Sequence, residues 1–257
     1  MNVVILGSGN VATVLSAVLD KAGHNIIQVL SRNIANAKQL AEKYNAQPAT
    51  FSGESFAKAD IYIICLTDAA LESIDKIKGF REGLVLHTAG SVQMDILKNV
   101  SSRYGVLYPL QTLTRDTAHT PKIPFLVGGN TLETTHEITE FASTISDIVI
   151  ACSDEERLRY HVAAVFVANF TNHLMAMTES FCEKEKIEFK ALLPLINEVA
   201  DKANHFSPLE MQTGPAIRED IVTLNRHLQT LSPHADLKYL YLKISESILK
   251  LHQKKNR

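Results

Sequence analysis

The chain reads as an α/β protein: a doubly wound sheet followed by an all-helical carboxyl-terminal domain. Three observations predict this. In the first half, short apolar runs alternate with segments of helical spacing, which argues for a parallel sheet with right-handed crossovers. Near residue 153 the strand-like runs stop, and helical pattern continues to the end. The first strand also runs directly into Gly7-Ser8-Gly9-Asn10-Val11-Ala12, a glycine-rich bend that opens a helix.

Taken in order, residues 3–6 form the first strand and residues 11–22 a helix ended by Gly23. Residues 26–30 are the second strand, and 34–44 carry helical spacing. Ile61 to Leu66 is a continuous apolar run, as expected of a strand buried on both faces. A short helix at 71–77 precedes another buried strand at 83–87. Strand-like pieces at 106–108, 125–127 and 148–150 extend the sheet, with a polar loop at 111–124 long enough to border a site. Ser153 and Glu156 make a capping box, and acidic Asp154 and Glu155 suit the helix start. Helical pattern then runs to about residue 186, with further helices at about 189–206, 216–231 and 235–253. The predicted domains are therefore 1–152 and 153–257.

Composition excludes several classes of function. The 257 residues are 46% apolar, enough for one large or two modest cores. A net charge of −2 with both signs interspersed gives no electrostatic footprint for nucleic acid. The basic end, Lys254, Lys255 and Arg257, reads as a solvated terminus. Cys65, Cys152 and Cys182 are scattered without metal spacing, so they read as thiols of a reducing compartment, and no metal site is expected. A strand beginning at residue 2 leaves no room for a signal peptide, and no apolar run reaches membrane-spanning length. The expectation is a soluble cytoplasmic protein without a membrane partner.

The glycine bend carries the first functional argument. Gly7 lets the strand turn sharply, Gly9 leaves room for phosphates, and Ala12 permits close helix–strand packing. The helix beyond it offers free N–H groups and the positive end of its dipole. Gly7, Ser8, Gly9, Asn10 and Val11 are thus expected to hold the diphosphate of a dinucleotide. An NAD site usually places Asp or Glu after the second strand, where this chain has Ser31-Arg32-Asn33. A carboxylate would repel a 2′-phosphate, whereas Ser31 and Arg32 would bind one, so NADP is expected. Ligands of open sheets lie outside the carboxyl ends of strands, which adds Leu66, Thr67 and Asp68, then Thr88, Ala89 and Gly90. His87, ending its strand, is expected to open on the nicotinamide end.

The substrate side is read from polar exceptions on an apolar helix at 161–174, which is expected to be buried. At 100° per residue, His161, Asn169, Asn172 and His173 share about a third of the circumference. Pro215 just inside a helix start, with Thr213 or Gly214 as cap, places Arg218 in a first turn against the helix dipole. Such a placement points to an anionic contact. Tyr108 and Gln111 lie where they can reach a ligand at the sheet edge. Neither zinc-ligand spacing nor a Walker lysine is present.

Residues 7–12, His87-Thr88-Ala89-Gly90-Ser91, Tyr108-Pro109-Leu110-Gln111-Thr112, Asn169 to His173 and Thr213-Gly214-Pro215-Ala216-Ile217-Arg218 together carry a resemblance. Over essentially its whole length the chain resembles an uncharacterised bacterial family of Rossmann-like proteins with a C-terminal domain of unknown function, often labelled NADP oxidoreductases. More distantly it is similar to ketopantoate reductases, pyrroline-5-carboxylate reductases and the 6-phosphogluconate dehydrogenase superfamily. The resemblance implies a Rossmann-type domain, a long helix into the helical domain, and a homodimer formed through the latter. The β-hydroxyacid dehydrogenases of that superfamily carry Lys-x-x-x-Asn on the long helix. If Asn169 matches that asparagine, Val165 stands in place of the lysine. Proton transfer then falls to His173, His87 or water.

The expected function is an NADP-dependent oxidoreductase moving hydride between NADP(H) and a small anionic carbonyl or imine compound in a cleft between the domains. His173 is the expected acid/base and His87 its alternative. Asn169 would orient the substrate and Arg218 bind its anion, with Tyr108, Gln111, Asn172 and Gly214 beside it. The alternative is a dinucleotide-binding protein without turnover, whose helical domain serves dimerisation or regulation.

Overall fold

The computed structural model describes residues 1–51, 56–77, 79–80, 82–115 and 121–253. The terminal basic residues and part of the 111–124 loop lie outside them. The chain forms two compact units, Met1–Ala168 and Asn169–Arg257. The sequence places its boundary earlier, at 152/153, where the helical pattern begins. The first helix after that point is held to the first unit by its own side chains.

In the first unit, β1 (Asn2–Leu6), β2 (Asn25–Leu30), β3 (Gln47–Ala49), β4 (Ile61–Ile64), β5 (Leu84–His87), β6 (Tyr104–Pro109), β7 (Phe125–Gly129) and β8 (Val149–Ala151) form one sheet. Its order is β3-β2-β1-β4-β5-β6-β7-β8. The first six strands are parallel; β7 pairs antiparallel with β6, and β8 runs parallel to β7. The carboxyl ends of β1, β2, β4, β5 and β6 therefore share one sheet edge. Every residue of β4 and Val3 to Leu6 of β1 are fully buried. The pleat explains the continuous apolar runs: Val3 and Ile5 pack into the core on one face with Leu15, Leu19 and Phe141, and Val4 and Leu6 into that on the other with Tyr62, Phe56 and Leu97.

The helices of this unit are α1 (Asn10–Lys21), α2 (Ile34–Ala41), α3 (Asp68–Leu71), α4 (Leu132–Ser143) and α5 (Asp154–Ala164). Gly23 turns the chain after α1 with φ of +82°. Asn33 caps α2 by accepting from the Ala35 N–H at 2.9 Å. Sequence pattern missed β3, a three-residue strand at the sheet edge that contains Pro48. It also missed α4, whose threonines are weak helix formers. That helix is held by its Thr131 cap and by buried Ile138, Phe141 and Ala142. The capping box at α5 is present: the Ser153 N–H donates to Glu156, and the Glu156 N–H donates to the Ser153 hydroxyl.

Beyond α5 the chain takes one π-helical stretch, Val165–Phe170, before α6 (Thr171–Glu185). In a π-turn the hydrogen bond spans one more residue than in an α-turn. The 100° bookkeeping that grouped His161 with Asn169, Asn172 and His173 therefore does not carry across it. The second unit continues with α7 (Leu193–Lys202), α8 (Ile221–Thr230) and α9 (Ala235–Gln253). Helix α8 starts five residues later than pattern predicts. Glu219 takes a left-handed φ of +54°, and Asp220 caps the helix by accepting from the Thr223 N–H at 3.0 Å. Arg218 thus sits in the turn before α8, not in a helical first turn, and the dipole argument for it falls.

Candidate active site

The glycine bend is built as its residues require. Gly7 has φ of +127°, and a Cβ there would lie 2.2 Å from the Cys65 carbonyl oxygen, so the bend is pressed against the end of β4. Its N–H continues the ladder to the Leu30 carbonyl at 2.8 Å. Gly9 is the opposite case. It is the N-cap of α1 with no side-chain cap, and a Cβ there would meet nothing within 4 Å. The first turn of α1 also carries no acidic residue. An uncapped helix start beneath open space is a ready anion site.

A cleft of about 870 Å³ opens beside this turn at the carboxyl ends of β1, β2 and β4. Its lining includes Gly7, Ser8, Gly9, Ser31, Arg32, Leu66 and Thr67, as expected from sequence. Asn10 and Val11 continue into α1 without lining it. The Ser8 and Ser31 hydroxyls lie 2.9 Å apart, joining the ends of β1 and β2. Two cations that sequence did not indicate, Lys76 and Arg115, line the cleft with Arg32, and none of the described lining residues is a carboxylate. Arg115 comes from the β6–β7 connection and donates to the Ser8 carbonyl at 2.7 Å. Cys65, also in the lining, is inert as a nucleophile, because burial pushes its thiol up to about 12. Among the described residues no cluster suited to a metal ion occurs.

Further along the same edge, the structure corrects the role expected of His87. Its side chain is fully buried, with Nδ1 accepting from the Ala89 N–H at 3.2 Å. Burial, seconded by the charge of Arg157, lowers its pKa to about 4, so the ring is neutral and does not open on a cleft. Thr88 is likewise turned inward, donating to the Ile64 carbonyl at 3.2 Å, and Ala89 is buried. Asp68 begins α3 and accepts a short hydrogen bond from the Ser91 hydroxyl. Gln111 is occupied by its own loop, donating to the Lys122 carbonyl and accepting from the Thr112 N–H.

Tyr108 at the end of β6 does meet a partner. Its hydroxyl lies 2.9 Å from Nδ1 of His161 on α5, with the rings edge to face and centroids 5.8 Å apart. Gly90 makes room for them: a Cβ there would lie 2.7 Å from His161 Nδ1 and 2.9 Å from Tyr108 Cζ. The pairing joins residues 53 positions apart, so no local pattern announces it.

The second-unit residues stand differently from expectation. The helix at 161–174 is not covered all round: Val162, Phe166, Val167 and Phe170 are 49–75% exposed. Asn169, Asn172 and His173 are exposed, and so is Arg218. His173 lines a groove of this unit with Met177, Phe181 and His234. Gly214 has φ of +106° in the turn before Pro215. No helix among the described residues is long and apolar enough to cross a membrane.

Comparison with known proteins agrees with this anatomy. Residues 2–85 match the family described as NADP oxidoreductase coenzyme F420-dependent, and residues 123–248 match a domain of unknown function, DUF2520. A Bacteroides fragilis protein assigned as an NADP oxidoreductase is 36% identical, with TM-score 0.88 over 97% of this chain and 98% of its own. A reductive aminase from Aspergillus terreus, solved with NADPH and ethyl-5-oxohexanoate, is similar at 17% identity, TM-score 0.67, over 97% of this chain and 93% of its own. A pyrroline-5-carboxylate reductase from Streptococcus pyogenes matches at 15% identity and TM-score 0.60, over 97% and 98%. At such identities the last two show a shared fold. Among curated proteins none matches the chain.

Proposed function

Because the chain belongs to the family of the Bacteroides fragilis NADP oxidoreductase, a Rossmann-type domain followed by a DUF2520 domain, we propose that it is an NADPH-dependent reductase of a small carbonyl or imine compound. One observation carries this reading. The uncapped start of α1 opens beneath Gly9 into a cleft with three cationic side chains and no carboxylate among its described lining residues. That set fits NADP: the N–H groups of the bend suit the diphosphate, and Arg32 and Lys76 suit a 2′-phosphate that an acidic residue would repel. When bound, the cofactor supplies a hydride from its reduced nicotinamide. The protein's part is to orient both reactants and to provide a proton.

The substrate class is supported by the ketoester complex of the similar Aspergillus aminase and by the pyrroline-5-carboxylate reductase fold. An anionic substrate belongs to the proposal, with Arg218, Asn169, Asn172 and Gly214 as candidate contacts and His173 as one candidate proton donor. A homodimer through the helical unit is proposed as well. In that unit only Cys182, Ala216 and Leu231 are buried apolar side chains among the described residues, while Leu195, Val199, Phe206, Ile221, Val222 and Tyr239 are at least 60% exposed. Soluble monomers rarely leave so much apolar surface uncovered. Three free thiols fit a reducing, cytoplasmic setting.

The test is a thermal-shift comparison of NADP with NAD, followed by NADPH oxidation over a panel of keto acids, ketones and cyclic imines. The expected result is a larger shift with NADP and turnover of at least one class. A larger shift with NAD, or tight NADPH binding with no turnover of any compound, overturns the reading, the second outcome in favour of a binding protein.

A further inference from the structure

We infer that the Tyr108 hydroxyl is the proton donor of this reductase, with His161 as the positioning residue that returns the proton to it. The inference rests on the reductase reading above and names the catalytic group that the sequence placed elsewhere.

The location comes from the sheet. Strands β1, β4, β5 and β6 are parallel neighbours, so Tyr108 stands on the same edge as the glycine bend. It lies three strand spacings away, about 14 Å at about 4.8 Å each. A dinucleotide whose diphosphate sits on the bend and whose adenosine lies over β2 directs its other end toward β5 and β6. Tyr108 and His161 are both half-buried there, above Gly90.

The pair is built to hold its geometry. Gly90 is the one residue type that fits beneath it, since a side-chain carbon would collide with both rings. His161 lies one helical turn beyond Arg157, a fully buried guanidinium. Arg157 donates to Asp154 at 2.6 Å and makes a short hydrogen bond to the Val92 carbonyl, and Asp154 accepts from the Met94 N–H at 3.0 Å. Helix α5 is thus clamped to the loop that follows β5, the same loop that carries Gly90. The other imidazole at this edge, His87, is sealed in the core.

The groups facing Tyr108 are His161 and Arg157 from α5 and Asp68 from α3, itself held by Ser91. Burial raises the phenol above its usual range; the Arg157 charge opposes this and Asp68 adds to it. Tyr108 therefore keeps its proton at neutral pH and can only give it when charge develops on a substrate atom. The step balances. The hydride adds two electrons to the carbon of the C=O or C=N bond, and the Tyr108 Oη–H bond breaks as its proton joins the oxygen or nitrogen. His161 then passes its Nδ1 proton to the phenolate oxygen. As it does so, Nε2 of His161, which makes no hydrogen bond among the described residues, takes up a proton from solvent, so the ring stays neutral.

The experiment compares wild type, Tyr108→Phe and His161→Gln in NADPH binding and in turnover of the panel above, and follows the His161 ring nitrogens by NMR at one fixed pH in the protein alone. Tyr108→Phe is expected to lower kcat about 100-fold or more with NADPH affinity within about twofold. It is also expected to shift the His161 Nδ1 resonance, because the hydroxyl partner at 2.9 Å is gone. His161→Gln is expected to lower kcat less and to flatten its pH profile. Turnover retained by Tyr108→Phe, or an unmoved His161 Nδ1 resonance, overturns the inference while leaving the reductase reading intact. A wild type that binds NADPH yet turns over nothing sinks the reductase reading, and the donor role with it.

Discussion

The Arg115 guanidinium donates to the carbonyl oxygen of Ser8 at 2.7 Å, so a residue of the β6–β7 connection closes on the glycine bend 107 positions earlier. One N–H is used in that contact, and the guanidinium has five. Arg115 and Gly9 both line the cleft, so the other N–H groups are available to a phosphate there. Arg115→Ala is therefore expected to weaken NADPH binding about tenfold, or about 1.4 kcal/mol. Lysine in its place should restore little, since one ammonium cannot hold the backbone carbonyl and a phosphate in a planar fork. A fluorescence titration that gives the same Kd for Arg115→Ala and wild type refutes this.

The two glycines of the bend should fail in different ways. In Gly7→Ala the methyl carbon meets the Cys65 carbonyl, a backbone atom with no room to move, at a φ of +127°. Strain and overpacking together are expected to destabilise by about 2–4 kcal/mol. Gly9→Ala has a normal φ of −81° and no neighbour within 4 Å, so stability should change by less than about 1 kcal/mol. Its methyl occupies the space meant for a diphosphate, and NADPH affinity should fall steeply. Urea unfolding and cofactor titration of both variants separate the two effects. Equal destabilisation by both would contradict the assignment.

What could be read from the sequence was local, and what could not was remote. The bend at Gly7 and Gly9, the cap at Ser153 and the buried run at Ile61 to Cys65, one residue shorter than pattern suggests, are each specified within a few residues, and each is present. The start of α8 was misread because Pro215 and Asp220 both carry start signals, and the left-handed Glu219 decides for the later one. Lys76, Arg115 and the Tyr108–His161 contact come from distant segments and leave no periodic trace. His87 looked reachable because a strand end is where ligands bind, but hydrogen bonding to its own turn folds the ring inward. The apolar stretch at 161–174 reads as a buried helix, but Val162, Phe166, Val167 and Phe170 are exposed, because apolar composition alone does not say what packs against a helix.

Cofactor choice should depend on Arg32. Its position after β2 takes the place of the carboxylate that selects a free 2′-hydroxyl, and Lys76 adds a second charge to the same cleft. Arg32→Ala is expected to weaken NADPH by about 10- to 100-fold with NADH little changed, and Arg32→Glu to invert the preference. Isothermal titration with the two cofactors measures this. Equal losses for both would mean that Arg32 acts on the shared part of the molecule.

Exposed apolar side chains on the second unit set an expectation for assembly. Val199 on α7 and Val222 on α8 are 61% and 63% exposed. Light scattering should give about twice the 28.5 kDa chain mass, with Val199→Glu or Val222→Glu shifting the species toward monomer. A wild-type chain that stays monomeric at high protein concentration rules the dimer out.

The buried His87 makes the fold acid-sensitive in a direction that can be worked out. Burial holds its pKa at about 4 in the folded chain, against the 6.5 of a free imidazole. Between those values the unfolded chain binds a proton that the folded one refuses, so stability falls as pH drops through this window and is complete above it. The 2.5-unit gap amounts to about 3 kcal/mol once pH is below both values, and about 2 kcal/mol of it is lost between pH 7.5 and pH 5. Burial is the larger cause and the Arg157 charge the next, so an apolar side chain of similar volume removes the titration, at the expense of the Ala89 N–H bond at every pH. His87→Leu is accordingly expected to flatten the decline in urea midpoint from pH 7.5 to pH 5 relative to wild type. Carboxylates that are depressed by hydrogen bonds, such as Glu156 and Asp220, contribute equally to both proteins and cancel in the comparison. Parallel declines in the two would show that His87 takes up its proton as readily folded as unfolded.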